Sequence, residues 1–79
     1  MADLQRRRLL DDAVQTVLRQ RPGSSQGEIT RMVNAVVFVY PPFSRREIQE
    51  VLHASPRTFV PEGGNPCPWR LVTAETDNA

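Results

Sequence analysis

SRREIQEVLHAS, residues Ser44–Ser55, is the stretch whose reading decides the fold. Ser44 and Glu47 have the spacing of a capping box, in which the serine hydroxyl accepts from the amide three residues on and the glutamate reaches back to the serine amide. Phe43 precedes the cap and Ile48 falls at the fourth helical position, the arrangement of a hydrophobic staple. Ile48, Val51 and Leu52 then share one face at helical spacing. Arg45, Gln49 and His53 follow at intervals of four along an adjacent flank, with Arg46 beside them and Glu50 on the far border. Pro56 forbids further helix.

Two short β-like runs come next, RTFV from Arg57 to Val60 and PWRLV from Pro68 to Val72. Between them lies Glu62-Gly63-Gly64-Asn65, a turn whose two glycines can take positive φ. Phe59 is the expected core residue of the first run, and Trp69, Leu71 and Val72 complete the second. Pro66 and Pro68 stand at the start of the second strand, which predicts an edge position, because proline cannot donate to a ladder. Trp69 has two readings, a plug for the core or a ring for a ligand surface.

Upstream, Leu4–Gln20 reads as a first helix, with Asp3 a candidate N-cap. Leu9, Leu10, Ala13, Val14, Val17 and Leu18 make its apolar face, and Arg8 can pair with Asp11 or Asp12. Arg6, Arg7 and Arg8 oppose the helix dipole if they lie in its first turn, a placement unfavourable for stability for which fraying or a bound anion is to be considered; as a functional signal a run of three is weak. Pro22-Gly23 ends this helix. Ser25 and Glu28 repeat the capping box and open a second helix, whose core stripe is Ile29, Met32, Val33 and Val36. Thr30, Arg31 and Asn34 are expected to face outward. Val36–Tyr40, VVFVY, is β-branched and aromatic and is halted by Pro41-Pro42. It predicts a short strand or extended connector that can pair with the later hairpin; an exposed partner-binding patch is the alternative use.

A short helix with a basic-polar stripe, followed directly by a hairpin, is the ending of a winged helix-turn-helix. The predicted fold is therefore α+β, three helices with a small antiparallel sheet as the wing. Residues 1–72 form this domain and 73–79, polar and acidic, a disordered tail. The chain has 79 residues, enough for one small core that buries roughly 60–65% of the unfolded surface. No apolar run reaches membrane-spanning length, and no signal-peptide pattern opens the chain. Cys67 is the single cysteine, so no intrachain disulfide can form, and an intracellular setting, nuclear or cytoplasmic, is expected. One Cys and one His are too few for a four-ligand zinc site, and no cofactor is expected.

Catalysis is not expected either. Ser24 and Ser25 have no nearby base, His53 has no evident acidic partner, and Gly63-Gly64 lacks the spacing of a phosphate loop. Glu47 and Glu50 fit capping and solvation better than acid-base work. Binding is the better reading. Net charge is only +1, so any nucleic-acid recognition must come from charge placement. All ten basic residues are Arg, whose planar fork suits phosphates and guanine edges. The candidate nucleic-acid-binding residues are Arg45, Arg46, Gln49 and His53 on the helix with Asn65, Pro66 and Trp69 on the wing, and Arg57 and Arg70 lie nearby in sequence.

RREIQEVLH followed by GGNPCPWRLV resembles the third helix and wing of Z-alpha domains, the winged helices that bind left-handed Z-form DNA and RNA. The resemblance covers roughly the C-terminal half of the chain. It implies the winged-helix fold and contacts from Arg45, Gln49, His53, Pro66, Cys67 and Trp69. Gln49 stands where that family typically carries Asn, His53 where it carries Tyr, and Cys67 in place of a proline; Val36–Phe43 is longer than the family's tight connection. Two functions follow as expectations. One is binding of duplex DNA or RNA through the third helix and wing. The other is a protein-docking winged helix of a larger transcription, replication or RNA-processing factor, which the near-neutral charge favours. Neither involves a membrane or a small-molecule substrate.

Overall fold

A computed structural model describes residues 3–64 and 67–72. The chain folds as α1 (Asp3–Gln20), α2 (Gln26–Val36), α3 (Arg45–Ala54), β1 (Phe59–Pro61) and β2 (Trp69–Leu71). Three helices followed by a two-stranded antiparallel sheet make an α+β arrangement compatible with a winged helix. α1 starts at Asp3 itself, so that residue is helical and does not precede the helix as a cap. Asn65, Pro66 and the tail 73–79 lie outside the described residues. No described helix is long and apolar enough to cross a membrane.

Both predicted capping boxes form. In each, Ser25 or Ser44 accepts from the amide of Glu28 or Glu47, and the glutamate side chain accepts from the serine amide. Such a cap satisfies two amides that the first helical turn leaves without partners, and is worth about 1 kcal/mol. Downstream of each cap the apolar stripe drops into one core. Leu10, Val14 and Val17 of α1, Ile29 and Val33 of α2, Ile48 and Leu52 of α3, and Phe59 of β1 are all buried. Phe43 and Ile48, the staple pair, are buried in the same cluster. α1 packs against α2, α3 and β2, so the core has helices around it and the sheet at one end.

Several expectations for α2 and the connection after it are revised. Val36 was expected in the α2 stripe but is 63% exposed. The helix ends there, and Val37 turns extended at φ −117° and ψ 118°. From that point the apolar period changes from the helical one to alternation. Val37 and Val39 pack on the core, while Phe38 and Tyr40 point away. Of the two forms expected here the segment takes the extended connector and not the strand, and among the described residues it does not pair with the hairpin. Asn34, expected to face outward, is half-buried and holds the returning chain: its Nδ2 donates to the Phe43 carbonyl and its Oδ1 accepts from the Phe43 amide, both at 2.9 Å. Thr30 is also half-buried, its hydroxyl donating to the Gln26 carbonyl, whereas Arg31 is exposed as expected.

The place reserved for VVFVY beside the hairpin is filled by the α1–α2 connection. Gly23, at φ 86°, donates to the Trp69 carbonyl at 2.9 Å, and the Trp69 amide donates to the Ser24 carbonyl at 3.0 Å. Ser25 and Pro68 form an isolated antiparallel bridge. On the other side β2 pairs with β1 in the register Phe59 with Leu71, Val60 with Arg70 and Pro61 with Trp69. β2 is therefore flanked on both sides and is not the edge that its prolines suggested. Pro68 is tolerated because it sits at the end of the ladder, where only its carbonyl is used, accepting from the Glu62 amide. β1 starts at Phe59, later than the predicted Arg57, because the Thr58 and Phe59 amides both turn back to the Ser55 carbonyl. Gly63 and Gly64 take φ of 78° and 107° in the turn.

Ile48 is fully buried at the centre of this core. Ile48→Ala is expected to lower unfolding free energy by about 2–5 kcal/mol in urea titration, from lost burial and the cavity left behind. Asn34→Ala leaves the Phe43 amide and carbonyl without their partner, and is expected to cost about 1–3 kcal/mol with faster amide exchange at Phe43.

Candidate nucleic-acid interface

The face begins at the start of α3, and α1 determines how that start is charged. The Arg6 guanidinium of α1 grips the Glu47 carboxylate with two donors, Nε to Oε2 at 2.7 Å and Nη2 to Oε1 at 3.0 Å. The same Nη2 donates to the Pro42 carbonyl at 3.2 Å, and the guanidinium carbon lies 4.6 Å from the centre of the Phe43 ring. One turn on, Arg7 pairs with Glu50 at 3.2 Å. Two of the three arginines that oppose the α1 dipole, Arg6 and Arg7, thus meet carboxylates of α3, while Arg8 is exposed. The expected pairing of Arg8 with Asp11 or Asp12 does not occur. Both carboxylates of α3 pair with α1, and Glu50, half exposed, also borders Arg46, Gln49 and His53.

Arg45, Arg46, Gln49 and His53 are exposed on the remaining face. Neither Arg45 nor Arg46 has an ion-pair partner among the described residues. Between this face, the start of α2 and the sheet runs a groove lined by Ser25, Gln26, Arg45, His53, Cys67 and Trp69. Gln26 closes its upper end by donating from Nε2 to the Arg45 carbonyl at 3.1 Å, which ties the two capped helix starts together. Gly27, beside it, has open space where a side chain would stand. The Trp69 ring is buried at 5% exposure and belongs to the core. It meets the exposed His53 ring edge-to-face, with centroids 5.5 Å apart and planes at 90°. The ring fills the core as the plug reading expects, and Trp69 also lines the groove, with His53 resting on it. Arg70 is exposed and lies 3.6 Å from Glu62 across the hairpin, and Arg57 is exposed in the turn before β1.

No family model, curated protein or solved structure matches the chain. The site is read from its geometry.

Sequence reasoning grouped Arg45, Arg46, Gln49 and His53 correctly, because helical spacing alone puts them on one side. Asn65 and Pro66 fall outside the described residues. It missed Gln26, which borders the groove only because the α2 cap lies against α3. It also missed Arg6 and Arg7, although two arginines badly placed for their own helix dipole are a sign that carboxylates from elsewhere must meet them.

The Arg6 guanidinium, helped by the Ser44 amide, holds the Glu47 carboxyl at about 2, against an ordinary 4.5. A carboxyl that binds its proton less tightly folded than unfolded contributes stability that is full above its unfolded value and declines as pH falls toward the folded one. Its share should therefore disappear between about pH 4.5 and 2. Glu47→Gln is expected to cost about 1–2 kcal/mol at pH 7, a partly exposed charged hydrogen bond being weaker than a buried one. The same variant should flatten the fall in stability below pH 4.5, read by urea unfolding at a series of pH values.

Proposed function

We propose that this chain is a nucleic-acid-binding module that lays α3 and the wing against a DNA or RNA duplex. The observation that carries the reading is the sorting of charge on α3. Glu47 and Glu50 face arginines of α1, and Arg45 and Arg46 stay exposed without carboxylate partners among the described residues. With a net charge of +1 the attraction is local to this face and not a field of the whole domain.

In this reading Arg45 and Arg46 contact phosphates and set affinity. Gln49 and His53, further along the same face, meet base edges or sense groove shape. Trp69 is a positioning residue: the edge-to-face contact of its buried ring favours one orientation of the exposed His53 ring. Asn65 and Pro66, which lie outside the described residues, are proposed as further contacts from their place in the sequence alone. No catalytic step and no cofactor enters the mechanism. The likeness of this segment to Z-alpha domains makes an alternating CG duplex the first ligand to try, beside mixed-sequence DNA and RNA.

The test is binding measured across salt concentration. Phosphate contacts release counterions, so log Kd should change linearly with log salt, and Arg45→Ala or Arg46→Ala should each reduce the slope by about one. Gln49→Ala and His53→Ala should alter the preference among the three duplexes more than the slope. Absence of duplex binding at moderate salt, or amide shifts that avoid Arg45–His53, would sink the reading and leave the docking role.

A further inference from the structure

A second groove runs between the C-terminal part of α1 and the outer face of α2, and shares no lining residue with the α3 groove. Its apolar lining is Val17, Met32, Ala35 and Val36. Arg21 and Arg31 also line it and are exposed, and neither is within ion-pair distance of a carboxylate among the described residues. The one acidic residue of the groove, Glu28, is committed to its own helix, accepting from the Ser25 amide at 3.0 Å, and feels the two arginine charges only at longer range. Val36, 63% exposed at one end, begins an apolar run continued by Phe38 at 89% and Tyr40 at 96%. Phe38 and Tyr40 do not line the groove; its own large exposed apolar residue is Val36.

We propose that this groove docks an acidic amphipathic helix of a partner protein. Its apolar side chains would seat on Val17, Met32, Ala35 and Val36, and its carboxylates would pair with Arg21 and Arg31. The partner's chemistry follows from the charge. Two cations stand against one carboxylate that is already engaged, so the groove attracts acidic residues, and its apolar lining offers nothing to a phosphate backbone. A channel between two helices suits a third helix with anchors at intervals of three and four. The inference does not depend on α3 binding a duplex; either surface can be silent while the other binds.

The test uses the full chain, isotope-labelled, and two synthetic helical peptides. One has leucines at i, i+4 and i+7 flanked by glutamates, and the other has lysine at each glutamate. Amide shifts should concentrate on residues 16–21 and 28–36, and the glutamate peptide should bind about tenfold more tightly than the lysine peptide. Arg21→Glu with Arg31→Glu should reverse that order, and the milder Arg31→Gln should reduce the preference by about two- to threefold. Equal binding of the two peptides, a preference unchanged in Arg31→Gln, shifts centred on Arg45–His53, or no shift at millimolar peptide would each overturn the proposal.

Discussion

The fork of Arg6 on Glu47 is the contact on which the α3 face depends. Glu47 caps its own helix, and the same carboxylate is the anchor by which α1 holds the start of α3. A partly exposed pair of this kind contributes about 1–2 kcal/mol, against about 2–5 for one core side chain such as Ile48. The pair therefore does not hold the domain together. Its effect is on orientation and sign: Glu47 is turned toward α1, and the face carrying Arg45, Arg46, Gln49 and His53 keeps Glu50 only at its border.

Around that contact the connection between α2 and α3 is clamped twice within a few residues. Asn34 takes both backbone groups of Phe43, and Arg6 takes the Pro42 carbonyl and stacks on the Phe43 ring. Phe43 itself is buried. The long apolar connector is thus fixed at its far end and packed along one side by Val37 and Val39. Phe38 and Tyr40 are left in water by the same alternation that buries their neighbours.

Trp69 does the equivalent at the other side of the domain. Its amide and carbonyl bond the α1–α2 connection, its ring fills the core, and the edge contact with His53 links the sheet to α3. The groove between α2, α3 and the sheet exists because the capped start of α2 is held to β2 by the Ser25–Pro68 bridge and to α3 by Gln26.

Local signals in the sequence determined the three helices, both capping boxes, the hairpin with its glycine turn, the core from Leu10 to Phe59, and the grouping of Arg45, Arg46, Gln49 and His53. Each depends on spacing within one element, and spacing is readable without a partner. Only the tertiary structure decided which backbone lies beside β2, since VVFVY has strand propensity and Gly23–Ser25 has none, yet the latter is brought there by the turn after α1. The inward turn of Asn34, the pairing of Arg6 and Arg7 with Glu47 and Glu50, and the burial of Trp69 against His53 were settled at the same level. These contacts join residues far apart in the chain, 43 positions for Arg7 and Glu50, and no local periodicity encodes which distant group will meet a given side chain.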